Sequence, residues 1–182
     1  MICADFSGAY SKANLRMSIQ FELFFDLIDS ICLINFKYLL FFFFKNLFYI
    51  FLKYLQELTG IKEPLISDPY LSGGGYHEIK NGGVLKVHAD FNRHPSLELD
   101  RRVNLLLYLN KNWKEEWGGN LELYSKGNLN SPAISISPIF NRCVIFNTTS
   151  YTYHGHPEVI SCPEGISRKS IALYYFSTGR PK

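Results

Sequence analysis

The sequence has few of the features that most readily announce a function. Its four cysteines, Cys3, Cys32, Cys143 and Cys162, form no CxxC pair and follow no regular spacing. That excludes a zinc ribbon and a disulfide framework, and a reducing compartment fits best. Basic residues outnumber acidic ones by only 3 and are scattered along the chain, so no cationic stripe of the kind that tracks a nucleic-acid backbone is present, and no DNA or RNA partner is expected. The first twenty residues, MICADFSGAYSKANLRMSIQ, lack the charged-then-apolar order of a secretory leader, which makes the cytoplasm the expected location. There is no HExxH segment of the zinc-protease kind and no internal repeat that would signal a propeller.

What is there suits one ordinary domain: 182 residues, of which 47% are hydrophobic, suffice to bury a core. Composition shifts abruptly near residue 60, giving an amino-terminal, Phe-rich helical segment over 1–60 and the main domain over 61–182. Residues 17–59 contain neither Gly nor Pro and read as helix throughout. Three readings of that segment stand side by side. It packs on the domain behind it with its lysines wet, it tethers the chain to a membrane through 31–55, or it is translated non-coding sequence, since its residues favour AT-rich codons. Lys37, Lys45 and Lys53 interrupt the apolar run, and a lysine near mid-bilayer costs about 2.5–3.5 kcal/mol, which disfavours membrane association.

From residue 76 onward short alternating segments are separated by turn residues. Strands are expected at Tyr76–Ile79, Val84–Phe91, Val103–Asn110, Leu121–Tyr124, Ala133–Ile136, Cys143–Phe146 and Lys169–Ser177. Many short strands at this density predict a sandwich or barrel.

The chemistry gathers around VLKVHADF. Side chains alternate across a strand, so His88 and Asp90 point the same way and can share one ion. A third ligand is offered by His154 or His156 in YTYHGHPEV. A His, a nearby carboxylate and a distant second His occupy one face of an octahedral iron and leave positions open, whereas a structural zinc site closes its shell with four ligands. Histidines beside Gly and Pro are ordinary in exposed loops, and His77, His94 and one of the pair His154/His156 fall under that description. Arg168 opens RKSIALYYF, sharing a face with Ser170, Ala172 and Tyr174. An arginine facing into a barrel requires an anionic partner, and a guanidinium matches a carboxylate with two hydrogen bonds.

The segments HADF, RRVNLLLYLNKNWKEEWGGNLELY, PIFNRCVIFNTTSYTYHGHPE and SRKSIALYYFSTGRP, in that order, resemble the core of the iron(II)- and 2-oxoglutarate-dependent dioxygenases related to prolyl 4-hydroxylases. The likeness runs from about Asp68 to Lys182. It implies a mainly β fold, a double-stranded β-helix or jelly-roll core preceded by the helical segment. It further implies Fe(II) held by His88, Asp90 and His154, with 2-oxoglutarate as co-substrate bound by Arg168 and Tyr108, Asn104 lining its pocket and Tyr174 near the substrate. Tyr108 and Tyr174 read equally as core aromatics, and Trp113 and Trp117 as packing residues rather than a substrate platform.

The implied partners are 2-oxoglutarate, O2 and a peptide or small-molecule substrate, with ascorbate among the cofactors. The implied reaction is hydroxylation of a C–H bond, of a prolyl residue or related amino acid, with release of succinate and CO2. Asp90 fills the position that halogenating relatives leave to chloride, which favours hydroxylation. The competing class is a degenerate jelly-roll module that binds a metal or sugar without turnover. The chain departs from its relatives before the barrel, where the Phe-rich run replaces their supporting helices.

Overall fold

The computed structural model of the chain describes residues 2–5 and 36–180, with side chains from residue 45 onward. The chain divides into two units, residues 1–6 with 56–182, and residues 7–55. The second unit contains most of helix α1, Phe36–Thr59. Residues 17–35 of the expected helix lie outside the described residues. Among those described, no helix is long and apolar enough to cross a membrane.

The first unit is built of short strands: β1 (Ile2–Asp5), β2 (Ile66–Ser67), β3 (Gly75–Lys80), β4 (Leu85–Ala89), β5 (Asp100–Tyr108), β6 (Leu121–Tyr124), β7 (Ile134–Ile136), β8 (Arg142–Asn147), β9 (Tyr153–His156) and β10 (Ser167–Ser177). Pairing is nested. β3 lies against β10, β4 against β9, β5 against β8 and β6 against β7, all antiparallel. The eight strands therefore form one long ribbon doubled back on itself, and its rungs fall into two sheets. One sheet runs β8-β5-β10 with β3 on β10, and β1 extends it beyond β8; the other runs β4-β9-β6-β7. That winding is the double-stranded β-helix, a jelly roll. The strand β9 was not among the sequence expectations, because its Gly and the Pro that follows read as loop. Only its two neighbours β4 and β6, brought up from elsewhere in the chain, make it a strand.

The two sheets meet through apolar side chains on their facing surfaces. Tyr108 from β5 with Val144 and Phe146 from β8 pack against Leu121 and Leu123 from β6 and Ile136 from β7. Burial of each such side chain is worth roughly 1.5–3 kcal/mol. A second cluster joins Trp113, Ile160 and Cys162, with Ile79, Trp117 and Ile139 against it, and the Trp113 indole N–H donates to the Gly118 carbonyl at 3.1 Å.

Candidate metal centre

β4 supplies His88 and leads directly into Asp90, and β9 supplies His154. His88 stands directly across from His154 in the β4–β9 pairing, with a register shift between Leu85 and His88. The bulge brings the β4 backbone so close to β9 that a Cβ on Gly155 would lie 2.7 Å from the Leu85 carbonyl oxygen. Glycine between the two β9 histidines is thus a condition of the geometry. Ligand atoms of His88, Asp90 and His154 all lie within 4.8 Å of one another.

Each imidazole is oriented by a hydrogen bond from its Nδ1. His88 Nδ1 donates to the Lys86 carbonyl at 2.8 Å and His154 Nδ1 to the Thr152 carbonyl at 3.2 Å, which turns both Nε2 atoms toward Asp90 as the ligating atoms for a cation. Those Nε2 atoms lie 3.6 Å and 3.5 Å from the Asp90 carboxylate oxygens. Burial lowers the pKa of His154 and the Asp90 charge opposes the shift. Two imidazole nitrogens and one carboxylate, converging from one side with no fourth protein ligand among the described residues, fit a divalent iron with open positions. The opening lies on the His88 side, whose side chain is 38% exposed against 8% for His154.

The carboxylate has partners that the sequence did not reveal. Asn104 Nδ2 donates to Asp90 Oδ2 at 2.6 Å, and Arg101 Nε donates to the Asn104 Oδ1 at 2.9 Å. Arg101 Nη2 also lies 2.9 Å from Asp90 Oδ2, an ion pair off the direction of its N–H bonds. The guanidinium is stacked 3.5 Å from the centre of the Tyr174 ring and 4.5 Å from that of Phe91, and the Tyr174 hydroxyl donates to the Gly73 carbonyl at 2.8 Å. Asn104 therefore sits against the metal-side carboxylate, and Tyr174 beneath Arg101.

Alternation along β5 would put Arg102, not Arg101, on the face of Asn104. The β5–β10 pairing matches Val103 to Tyr175 but Arg101 to Phe176, so one residue of β5 is skipped and Arg101 turns inward. Arg102 turns instead to Ser177 and to Glu63, 3.0 Å away. The doubled arginine before VNLLLY was the available signal, but it could not say which of the two enters the barrel.

Behind the triad, Arg168 on β10 is 5% exposed and Tyr108 fully buried. Arg168 Nε donates to the Gly119 carbonyl at 2.7 Å and Nη2 to the Tyr108 hydroxyl at 3.2 Å. Gly119 has φ of +73°, and a Cβ there would lie 3.1 Å from Arg168 Cδ, so the glycine makes room for the arginine. Among the described residues no carboxylate pairs with this guanidinium. His156 is 1% exposed. Burial and, after it, the charge of Arg168 push its pKa down to about 4.

Two histidines expected to be ordinary loop residues differ from that description. His94 is buried and bonded to Asp68 at 3.2 Å, while its Nδ1 accepts the amides of Ser96 and Leu97, each at 3.1 Å. His156 lies inside the barrel. Burial draws both in, and no local signal marks it.

Residues 74–176 match the sequence profile of the 2OG-Fe(II) oxygenase superfamily, over more than half of the chain. The chain belongs to that family. Over 79 residues this oxygenase is 33% identical to the prolyl 3-hydroxylase OGFOD1 of Mus musculus, an alignment covering 42% of the chain and 14% of the mouse protein. Among solved structures it is similar to a prolyl 4-hydroxylase of Phytophthora capsici, at 25% identity over 56% of this chain and 31% of that one, with a TM-score of 0.43. It is also similar to a Trichoplax adhaerens prolyl hydroxylase solved with a hypoxia inducible factor peptide fragment, at 26% identity over 56% of this chain and 42% of that one, with a TM-score of 0.42. The oxygenase thus spans less than half the length of each of these proteins. Fe(II) and 2-oxoglutarate are what its family membership implies, and the His–Asp–His set suits the metal.

Proposed function

We propose that the protein is an Fe(II)- and 2-oxoglutarate-dependent hydroxylase in which His88, Asp90 and His154 hold the iron and Arg168 with Tyr108 holds the far carboxylate of 2-oxoglutarate. The observation that carries this reading is Arg168. A guanidinium buried with no acidic partner among the described residues is a costly arrangement on its own. A carboxylate delivered by a co-substrate offsets that cost and gains bidentate hydrogen bonds in a water-poor setting. Bound iron supplies the oxygen activation that drives hydroxylation with release of succinate and CO2.

The residues of the chain then do the positioning. Arg168 and Tyr108 fix one end of the co-substrate before the reaction begins, which saves orientation entropy at the reacting end. Arg101 and Asn104 hold Asp90 by one oxygen. Phe146 stands edge-on to His154 with ring centres 5.0 Å apart, which shields that ligand from water. The substrate enters over Tyr174 and Phe91 on the exposed His88 side. A prolyl residue or related amino acid is the proposed target, supported by the likeness to prolyl 3-hydroxylase OGFOD1.

Anaerobic addition of Fe(II) and 2-oxoglutarate to the full chain is expected to give the visible charge-transfer band of a chelated complex, absent in His154→Ala. Succinate formation over a panel of prolyl peptides and free amino acids then reports activity and substrate together. A folded protein that gives no band is instead a binding module without turnover. Succinate formation that survives His88→Ala would show that the metal ligands are misassigned.

A further inference from the structure

The barrel contains one polar side chain for which the reading above has no use. His156 is 1% exposed, and neither Nδ1 nor Nε2 has a hydrogen-bond partner among the described residues. Leaving a buried polar group unsatisfied costs about 1–3 kcal/mol, so an imidazole with both nitrogens idle is an expensive way to fill space that Leu or Phe would fill without that cost. Alternation along β9 puts His156 on the same face as His154. At ~3.3 Å per residue it stands about 7 Å from that ligand along the strand. The β6–β9 register sets His156 opposite Leu121, two residues beyond Gly119, whose carbonyl accepts from Arg168, and Arg168 is itself buried and without an acidic partner among the described residues. Gly155 between the two histidines admits the Leu85 and Lys86 backbone, so that β4 lies against this stretch of β9.

Two buried groups that can donate, on neighbouring stretches of the barrel and both without an anion among the described residues, suit one carboxylate. We propose that His156 donates a ring N–H to the distal carboxylate of bound 2-oxoglutarate, completing with Arg168 and Tyr108 a three-donor cradle that selects a five-carbon 2-oxo diacid over 2-oxo monoacids. This rests on the reading that 2-oxoglutarate occupies the barrel. A neutral imidazole has one N–H to give, and the carboxylate oxygens accept it alongside the guanidinium and the phenol.

The test uses the full chain loaded with Mn(II) under nitrogen, titrated calorimetrically with 2-oxoglutarate and with 2-oxopentanoate, which chelates identically but lacks the far carboxylate. His156→Phe is expected to raise the Kd for 2-oxoglutarate about tenfold, the usual worth of one hydrogen bond to a charged group, and to leave the Kd for 2-oxopentanoate unchanged. His156→Leu, closer to the imidazole in volume than Phe is, carries the same expectation. His156→Gln, which retains an N–H, is expected to recover most of the affinity. Unchanged 2-oxoglutarate binding in Phe and Leu variants overturns the proposal, and so does an equal loss for both acids, which would mark His156 as packing for the metal site. A wild-type protein that binds the two acids equally well would overturn the co-substrate reading itself, a result distinct from either of those.

Discussion

Arg101 and Asp90 form an ion pair inside the barrel, with 2.9 Å between Nη2 and Oδ2 and the arginine side chain only 1% exposed. Burial pulls the Arg101 pKa down and the Asp90 charge opposes it. Breaking such a pair from one side leaves an uncompensated buried charge, at a cost of about 3–5 kcal/mol. Arg101→Leu is expected to lower the urea midpoint accordingly in the metal-free protein. A variant as stable as wild type would mean that water or another cation replaces the guanidinium.

Asn104 acts on the same oxygen without a charge of its own, donating at 2.6 Å. Partners that orient a ligand typically contribute 10–100-fold, roughly, to metal affinity. Asn104→Ala is expected to weaken Mn(II) binding by that factor while changing the affinity for 2-oxoglutarate at saturating metal much less. The measurement is competitive metal titration with a fluorescent chelator.

Arg168→Gln removes the cation from a pocket in which no carboxylate opposes it. Losing one member of a buried, hydrogen-bonded charge pair costs about 2–5 kcal/mol, so the Kd for 2-oxoglutarate is expected to rise at least ~30-fold. The metal affinity is expected to stay at the wild-type value, because Arg168 bonds to Gly119 and Tyr108 and to none of the three ligands. A fall in both affinities would place the arginine in a general structural role.

Gly155→Ala forces a Cβ to within 2.7 Å of the Leu85 carbonyl. The β4 bulge must shift, and overpacking of this kind costs about 1–3 kcal/mol. Because β4 and β9 carry the two histidine ligands, the expected result is a larger proportional loss in metal affinity than in stability, read by metal titration beside urea unfolding.

Asp68 and His94 link the segment before β3 to the loop before β5. Burial raises the Asp68 pKa, but the amides of Tyr70 and Ser72 and the His94 ring outweigh it, leaving the carboxyl below its ordinary 3.8. A group depressed on folding contributes stability that is fully present above 3.8 and fades as pH falls through the lower folded value. Asp68→Asn is therefore expected to be less stable than wild type at neutral pH, by about 1–3 kcal/mol. The gap should narrow below pH 3.8, which urea midpoints across pH 2–7 will show.

Strand positions such as Leu121–Tyr124 and Cys143–Phe146 were legible because apolar alternation and turn residues are local properties, and the structure has strands there. The spacing of His88 and Asp90, and the order in which His154 and Arg168 follow them, could likewise be read along the chain. Strand β9 could not, since its Gly-containing segment becomes a strand only when β4 and β6 flank it.

The sequence by itself determined the donor inventory, the two-residue period of the barrel strands and the resemblance to the oxygenase family, because each depends only on residue type and spacing. The tertiary structure decided which side chains share the interior. A skipped residue in β5 reversed the parity of Arg101 and set it on Asp90, although Asn104 and Arg101 lie on opposite faces by counting. Asp68 meets His94 across 26 residues of chain. Arg168 lacks a carboxylate, and His156 any hydrogen-bond partner, among the described residues. Burial and missing partners arise from what the rest of the fold brings nearby, and no local pattern encodes them.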